Sequence, residues 1–389
     1  MVDPTGSVTE RKSLRQMVEP LCSIAKASLG RYYMDADNVL PFSATIGPDG
    51  EWKLSGVSLR YVAISQIGIA RWIDCHLADE TYLPNLWPRI VDNRDRIKNI
   101  GDLALALWAG LTSKADNCKM FADALSTGWQ SQANTCNAVE LAWVLQACTL
   151  AVRGDNDFQV YLQPLMEEAK DRLLSLFKPQ HSLFQRHNRA SFGQAISRRI
   201  ACFADQVYPI LALCTYGRFF EDNQCIEIAQ KTVERICQLQ GPLGQWWWHY
   251  DTAKGQVCEE YPVFSVHQDA MAPMAIMASD RLTGQNHSRE IERGLRWLWG
   301  QNELNECLVL YDAGLIWRDI EKREPAKISR SVRALLCVAN LKLLHTLAGR
   351  SFLGFRVNRE CRPYHLGWIL YAWADCDSRP NLFRPEERE

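Results

Sequence analysis

The sequence has almost no net charge, no long hydrophobic run and none of the short motifs that bind nucleotides. Its 389 residues carry 44 Lys and Arg against 45 Asp and Glu, a formal net charge of −1, which excludes a global field that attracts nucleic acid or an anionic membrane. No apolar run approaches the length of a membrane span. Glycine-rich phosphate loops, a dinucleotide fingerprint and a G-x-S-x-G elbow are missing. We therefore expect no nucleotide cofactor, no nucleic-acid partner and no membrane span.

The fourteen cysteines include no pair with C-x-x-C spacing, the spacing typical of zinc and redox sites. Scattered cysteines of this kind are usually reduced and buried, which indicates a reducing compartment. The polar beginning MVDPTGSVTERKS lacks the apolar segment of a signal peptide. We expect a cytoplasmic protein. No H-x-x-x-H or H-E-x-x-H spacing supports a metal site built on His249 and His267, so we predict no metal.

Apolar residues recur with helical period along most of the chain, and strand-like alternation is scarce. Hydrophobic residues make up 47% of the sequence, enough for a substantial core. The sequence thus predicts an all-α protein with one domain over residues 12–376. Residues 1–11 and 377–389 are predicted to be polar tails.

Similar segments begin successive predicted helices at intervals of roughly 64 residues, which is typical of a helical repeat. Asp205-Gln-Val-Tyr-Pro209 and Asp269-Ala-Met-Ala-Pro273 share an Asp-x-x-x-Pro pattern. Four predicted starts, near Thr135, Ala201, Ser265 and Ser329, have this spacing, an earlier copy begins near Ser58, and a shorter sixth begins near Tyr364. About six helical hairpins predict a closed (α/α)6-type toroid, in which the positive ends of the inner helix dipoles converge on one mouth. An open solenoid with the same repeat is the alternative.

Two segments, Ile236–Gly241 with Gly244-Gln-Trp246 and Leu298-Trp-Gly-Gln-Asn302, resemble the Q…G-x-W repeat of terpenoid cyclases and prenyltransferases. The chain from Trp52 to Ala374 resembles α/α-toroid proteins in general, among them six-hairpin glycosidases and sugar epimerases. The string GQWWWHYD…YPVFSVHQDAMAP also looks like an uncharacterised bacterial toroid family associated with polysaccharide genes. The D-x-D-D and D-D-x-x-D motifs of isoprenoid enzymes are missing, which weakens the isoprenoid interpretation.

Asp205 and Asp269 occupy equivalent repeat positions, and Glu140 is in register with them. Two carboxylates across one cavity can act as general acid with base or nucleophile in glycosidic chemistry. The alternative is that each acidic residue caps its own helix. We predict Asp205 and Asp269 as catalytic residues and Glu140 as a substrate-binding residue.

His249 and His267 are the predicted proton-transfer histidines, because imidazole titrates near neutral pH. Tyr261 is predicted to work with them as a catalytic partner, and Tyr208 is a second candidate for that role. The alternative is that each histidine bonds a loop backbone.

The predicted substrate-binding residues combine aromatic platforms, amides and cations. Trp246, Trp247 and Trp248 point in different directions, so at least one is expected to border the cavity, where indole can stack on a sugar ring or stabilise a carbocation. Arg60, Arg318 and Arg330 are predicted to bind an anionic group. The remaining predicted binding residues are Tyr61, Gln206, Tyr208, Gln268 and Trp317.

The sequence favours a carbohydrate-active enzyme that works by hydrolysis, epimerisation or elimination on a small or oligosaccharide substrate, an anionic one included. An isoprenoid cyclase or prenyltransferase-like enzyme is the first alternative. A non-catalytic scaffold or glycan-binding toroid is the second. The sequence leaves the oligomeric state open.

Overall fold

The computed structural model describes residues 13–35, 40–47, 51–76, 83–154, 156–189, 195–323 and 353–375, and helices dominate these ranges. In chain order the helices are α1 (Leu14–Asp35), α2 (Leu59–Cys75), α3 (Trp87–Asp92), α4 (Ile100–Thr112), α5 (Lys119–Gln132), α6 (Ala138–Gly154), α7 (Asn156–Ser175), α8 (Ala195–Arg199), α9 (Ala204–Phe220), α10 (Asn223–Gln238), α11 (Ala272–Thr283), α12 (Ser288–Leu298) and α13 (Pro363–Trp373). A π-helical turn, His267–Met271, leads directly into α11. None of the helices in these ranges has the length and apolarity needed to cross a membrane.

Six helices of the described part, α2, α4, α6, α9, α11 and α13, form a closed inner ring. Each packs against the next, and α13 closes the ring by packing against α2 on one side and the π-helical turn and α11 on the other. Helices α1, α5, α7, α10 and α12 pack around this ring as outer helices. The predicted all-α toroid is confirmed.

Aromatic side chains fill the axis of the ring. The Trp108 and Trp368 rings lie 5.7 Å apart, and Tyr208 lies 5.8 Å from Trp368. Tyr371 meets Trp108 edge-on at 5.5 Å. Side chains of this size bury some 150–250 Å² each, so the axis is a packed core and not a channel.

Glycines allow a close crossing of α2 and α13. A Cβ atom at Gly68 would lie 1.9 Å from the carbonyl oxygen of Gly367. A Cβ at Gly367 would lie 2.6 Å from Cα of Ser65. Any larger residue at either position would push the two helices apart, because neither backbone can move independently of its helix.

Short antiparallel strands precede several inner helices. They are β1 (Pro41–Ile46), β2 (Trp52–Val57), β3 (Phe177–Lys178), β4 (Leu183–Phe184), β5 (Ile200–Cys202), β6 (His249–Asp251), β7 (Gln256–Glu259), β8 (Val263–Phe264), β9 (Val309–Leu310), β10 (Leu315–Ile316), β11 (Asp319–Lys322), β12 (Phe355–Asn358) and β13 (Glu360–Cys361). They form three-stranded sheets in the orders β13-β1-β2, β12-β11-β8 and β5-β6-β7, and two-stranded pairs β3-β4 and β9-β10. Strands β2, β5, β8 and β13 run almost directly into α2, α9, the π-helical turn and α13. The three larger sheets therefore surround the end of the ring where the inner helices begin, which we call the mouth.

The predicted repeat is right for most of the ring and wrong at its second inner helix. Predicted starts near Ser58, Thr135, Ala201, Ser265 and Tyr364 each lie within a few residues of an inner helix, or of the π-helical turn before it. The start predicted near Ser329 lies outside the described residues. The structure places α4, which the spacing of about 64 residues passes over, in the ring between α2 and α6. The interval between α4 and α6 is shorter than 64 residues, because the segment between these two helices, which lies within the described residues, contains no β-strand that would lengthen it.

Candidate active site

Side chains from neighbouring inner helices meet across the mouth, beginning with Arg60. Its Nε donates to Oδ1 of Asp102 at 2.5 Å, and its guanidinium lies 5.3 Å from the ring of Trp143. Arg60 and Asp102 belong to the first turns of α2 and α4, and Trp143 belongs to the second turn of α6. Arg60 thus links three inner helices while 41% of its side chain remains exposed.

In the structure, Glu140 caps a helix. Its Oε2 accepts the Asn137 backbone N–H at 3.0 Å, and Oδ1 of Asn137 accepts the Glu140 N–H at 3.0 Å. This reciprocal pair is a capping box at the start of α6. Oε1 of Glu140 accepts from Nδ2 of Asn99 at 3.0 Å, so the carboxylate also joins α6 to the start of α4.

A cavity of about 380 Å³ opens at the mouth beside Arg60 and Asp102. Phe42 and Tyr61 line it and stack with their ring centroids 5.3 Å apart and nearly parallel. Tyr364, at the start of α13, packs 4.5 Å from Tyr61. The predicted binding residues Arg60 and Tyr61 therefore lie together in a cavity with aromatic and charged walls. Phe42 and Asp102 could not be predicted as site residues, because the order of the helices in the ring, which brings both to this cavity, does not follow from sequence spacing alone.

His249 is paired with a carboxylate and stacked on an indole. Its Nδ1 lies 2.9 Å from Oε2 of Glu259, and its ring stacks 4.2 Å from that of Trp248. An ionised carboxylate only accepts hydrogen bonds, so Nδ1 carries the proton and Nε2 is the basic nitrogen. The His249 side chain is 17% exposed and that of Glu259 is 8% exposed, so the imidazole is the member of the pair that solvent and ligands can reach.

Asp205 is buried at the start of α9, close to His249. One carboxylate oxygen accepts the backbone N–H of Cys202 at 2.8 Å. Strand pairing places Cys202 opposite His249. Burial raises the pKa of Asp205, while Arg186, the bonds from Cys202 and the nearby His249 act in the opposite direction. The carboxylate is thus a helix-capping group that is bonded to the strand partner of His249.

His267 lies buried between two phenylalanines, 4.7 Å from Phe203 and 5.1 Å from Phe264. Burial above all, with the neighbouring His249 and His365, lowers its pKa to about 3, against the opposing influence of a backbone hydrogen bond with Trp246. Its imidazole is therefore neutral at physiological pH. Among the described residues, Nδ1 of His267 has no hydrogen-bond partner, which is unusual for a buried nitrogen.

Both carboxylate oxygens of Asp269 are bonded to one histidine. Nε2 of His365 lies 2.7 Å and 2.9 Å from them, and the indole Nε1 of Trp373 donates to the Asp269 carbonyl at 2.6 Å. Asp269 is fully buried, and burial raises its pKa against the opposing influence of His365. The pair joins the π-helical turn to α13 and so fastens the ring. Inside the ring, Asp269 thus positions His365. His365 in turn lies near His267.

Other predicted site residues make internal contacts. The Tyr261 hydroxyl donates to Oε1 of Glu303 at 2.7 Å, on the side of α12. Gln206 holds the backbone of Phe184 with both ends of its amide. Gln268 likewise bonds the backbone of Trp246 and Phe264. These amides hold the loops between helices, and the contacts of Tyr261 include Glu303, Trp247 and Phe355.

The three consecutive tryptophans differ in how deeply they are buried. Trp246 is fully buried against Phe203, Trp247 is buried near Tyr261, and Trp248 is partly exposed. Trp248 meets Phe264 edge-on at 5.5 Å. One of the three consecutive tryptophans therefore borders the mouth.

Tyr208 and Trp317 complete the set of predicted aromatic residues. Tyr208 is buried 5.2 Å from Trp143, and burial raises the pKa of its hydroxyl strongly. Trp317 is partly buried, packs against the core and accepts a bond from Ser265 through its carbonyl.

A second charged group lies around Arg318. Its Nη1 donates to Glu360 at 2.5 Å, and its guanidinium lies 5.4 Å from the Phe264 ring. The neighbouring Asp319 is buried, and burial raises its pKa to about 7. Asp319 and Glu360 could not be predicted from the sequence, since neither belongs to a recognisable motif. Arg330 lies outside the described residues.

The fold matches solved structures of glycoside hydrolases at low sequence identity. Unsaturated glucuronyl hydrolase from Bacillus sp. GL1 superposes with a TM-score of 0.57 and 11% identity, over 96% of this chain and 100% of that one. A glycosyl hydrolase of family 88 from Bacteroides vulgatus superposes with a TM-score of 0.58 and 12% identity, over 92% of this chain and 98% of that one. An α-1,6-mannanase from Salegentibacter sp. superposes with a TM-score of 0.50 and 12% identity, over 93% of this chain and 98% of that one. No protein-family model and no curated sequence matches the chain. The chain has the six-hairpin α/α-toroid fold of these hydrolases.

Proposed function

We propose that the protein is a carbohydrate-active enzyme whose acid/base chemistry takes place at the mouth of the ring. The observation that carries the proposal is the His249–Glu259 pair, stacked on Trp248, with Asp205 bonded to Cys202, the strand partner of His249. A carboxylate that fixes the tautomer of an exposed imidazole is the usual arrangement for a histidine that moves protons. The surrounding indole and phenyl faces suit the apolar C–H faces of sugar rings.

In this arrangement each group has a distinct task. Nε2 of His249 takes a proton from, or returns it to, a hydroxyl or water at the mouth. Glu259 keeps the imidazole oriented and stabilises its protonated form. Asp205 holds its carboxyl group in a fixed, buried position, bonded to the strand partner of His249. His267 stays neutral and buried between Phe203 and Phe264.

The structural neighbours support a carbohydrate substrate. By their names, they act on glucuronyl groups and on α-1,6-mannan. The glucuronyl hydrolase from Streptococcus agalactiae, 13% identical to this chain with a TM-score of 0.56, has been solved with dGlcA-GalNAc6S. We extend the substrate class, carbohydrate, to this chain and leave the individual sugar open.

Turnover of an oligosaccharide panel tests the proposal. The wild-type protein is incubated with neutral and acidic oligosaccharides, and products are read by mass spectrometry and NMR. His249→Asn should lower turnover by about 10²–10⁴-fold, the usual contribution of a general acid or base. His287→Asn is the matched control. Nδ1 of His287 lies 2.7 Å from Oδ1 of Asp280, so the two residues form a similar pair, but this pair is remote from the mouth. Equal turnover by His249→Asn and wild type would overturn the proposed site.

A second candidate function, a non-catalytic glycan-binding toroid, is favoured by a specific observation. The aspartates predicted to be catalytic are engaged inside the protein, Asp205 with Cys202 and Asp269 with His365. This candidate predicts binding of a glycan without turnover and equal affinity of wild type and His249→Asn. The panel therefore separates the two functions.

The isoprenoid alternative fits the structure less well. Its chemistry needs a long apolar cavity, whereas the ring axis is filled by Trp108, Trp368 and Tyr208. The cavity at the mouth is lined instead by Arg60 and Asp102 together with aromatic residues.

A further inference from the structure

A second cavity, of about 540 Å³, lies between two hairpins on one side of the mouth. The β3–β4 hairpin contributes Lys178 to its wall, and Arg198 and Arg199 lead into β5 on the opposite wall. Gln185 and Asn188 line the cavity between them. Cations and amides together are suited to a ligand that carries both an anionic group and hydroxyls.

The charge of this cavity is positive and not neutralised by the protein. Arg199 forms a bidentate pair with the buried Asp251. In the part of the chain that the structure describes, Lys178 and Arg198 form no ion pair with a carboxylate. Two cations therefore remain for an anion, Lys178 on the β3–β4 hairpin and Arg198 on α8.

The amides are oriented by bonds at the back of the cavity. Nε2 of the buried Gln185 donates to Oδ1 of Asn188, and Nδ2 of Asn188 donates to the Ser175 hydroxyl at 2.8 Å. Within the described ranges no donor is bonded to Oε1 of Gln185. That oxygen is left as an acceptor for a ligand hydroxyl, next to cations that suit a carboxylate, sulfate or phosphate.

One short strand pair separates this cavity from the histidine pair. Arg199 immediately precedes β5, where Ile200 pairs with Asp251 and Cys202 pairs with His249. Two residues along a strand span about 7 Å. A chain of a few sugar units can therefore reach both the cavity and His249.

From these observations we infer that the cavity bounded by Lys178, Gln185 and Arg198 is an outer subsite that binds an anionic sugar unit of the oligosaccharide held at the mouth. The inference rests on the proposed function for the identity of the ligand chain. It is independent of turnover, because it concerns binding alone.

Calorimetric titration in the His249→Asn background, which removes turnover, tests the subsite. The probes are tetragalacturonate, its fully amidated counterpart and inorganic sulfate. Lys178→Ala/Arg198→Ala should weaken binding of tetragalacturonate by about tenfold or more, since two charge-assisted contacts are lost, and should leave the affinity for the amidated probe unchanged. Lys119→Ala/Arg289→Ala removes the same charge from exposed positions elsewhere and should bind tetragalacturonate as its parent does.

Three results would overturn the inference. The first is equal affinity of the double variant and its parent for tetragalacturonate. The second is a loss of affinity of the same size in the Lys119/Arg289 control, which would indicate only general charge attraction. The third is no binding of tetragalacturonate, or displacement of it by an equal concentration of sulfate. Failure of the proposed function is a separate result, since it would appear as equal turnover by His249→Asn and wild type while this titration still shows binding.

Discussion

His249 Nδ1 and Glu259 Oε2 lie 2.9 Å apart at the mouth of the ring, and they belong to paired strands. The register of β6 on β7 sets this distance before any ligand is present. The imidazole is thus fixed by a hairpin and not by the inner helices. Loop sheets supply the reactive pair, and the helical ring supplies the scaffold beneath it.

The first prediction concerns this pair as a unit. Glu259→Gln should lower kcat by about 10²-fold with little change in KM, because the charge that stabilises the protonated imidazole is lost while the substrate contacts remain. The double variant His249→Asn/Glu259→Gln should be no slower than His249→Asn alone. Steady-state kinetics of the four proteins measure this. Additive losses would contradict a shared task.

The second prediction contrasts two neighbouring tryptophans. Trp246→Ala should lower the free energy of unfolding by about 3–5 kcal/mol, because the side chain is fully buried. Trp248→Ala should cost much less stability but weaken ligand binding, because this indole is partly exposed beside His249. Urea unfolding and ligand titration of both variants measure the two effects. A loss of binding with Trp246→Ala at full stability would contradict this division.

The ring could be predicted from the sequence because its helices repeat a pattern. Asp205 and Asp269 open equivalent turns, and the structure places both at starts of inner helices. The roles of the two residues could not be predicted in the same way. Whether an aspartate caps a helix, binds a histidine or faces a cavity depends on residues far away in sequence, such as His365 for Asp269.

The parts of the site that the sequence did not reveal come from short strands and from the ring closure. Glu259 and Asp319 lie on strands of four residues, which are too short to show alternation. Asp102 faces Arg60 only because α4 lies next to α2 in the ring. Such residues become visible only when the topology is known.

The third prediction is that the Asp269–His365 pair stabilises the ring. His365→Leu leaves a buried carboxylate without its partner and should lower the free energy of unfolding by about 3–5 kcal/mol. Asp269→Asn/His365→Leu should recover part of this loss, because the buried charge is then gone. Urea unfolding of the single and double variants measures the difference. Equal stability of wild type and His365→Leu would contradict the role of the pair as a fastener.

The fourth prediction concerns pH and the buried carboxyl of Asp319, whose pKa is raised to about 7 by burial. In the unfolded chain an aspartate titrates near pH 3.9, so between about pH 4 and 7 the folded state holds a proton that the unfolded state has released. Stability due to this group is therefore complete below about pH 4 and falls as pH rises towards 7, by at most about 1.4 kcal/mol per pH unit.

Asp319→Asn removes this titration while keeping an acceptor for Asn358, which donates to Oδ2 of Asp319 at 3.1 Å. The variant should lose less stability than wild type between pH 5 and 7. Some slope should remain, because burial also raises the pKa of Asp205 and Asp269. Glu227→Gln, which removes an exposed carboxylate on α10, is the control and should keep the wild-type slope. Urea unfolding across this pH range measures the slopes, and identical slopes for Asp319→Asn and wild type would show that Asp319 is already ionised in the fold.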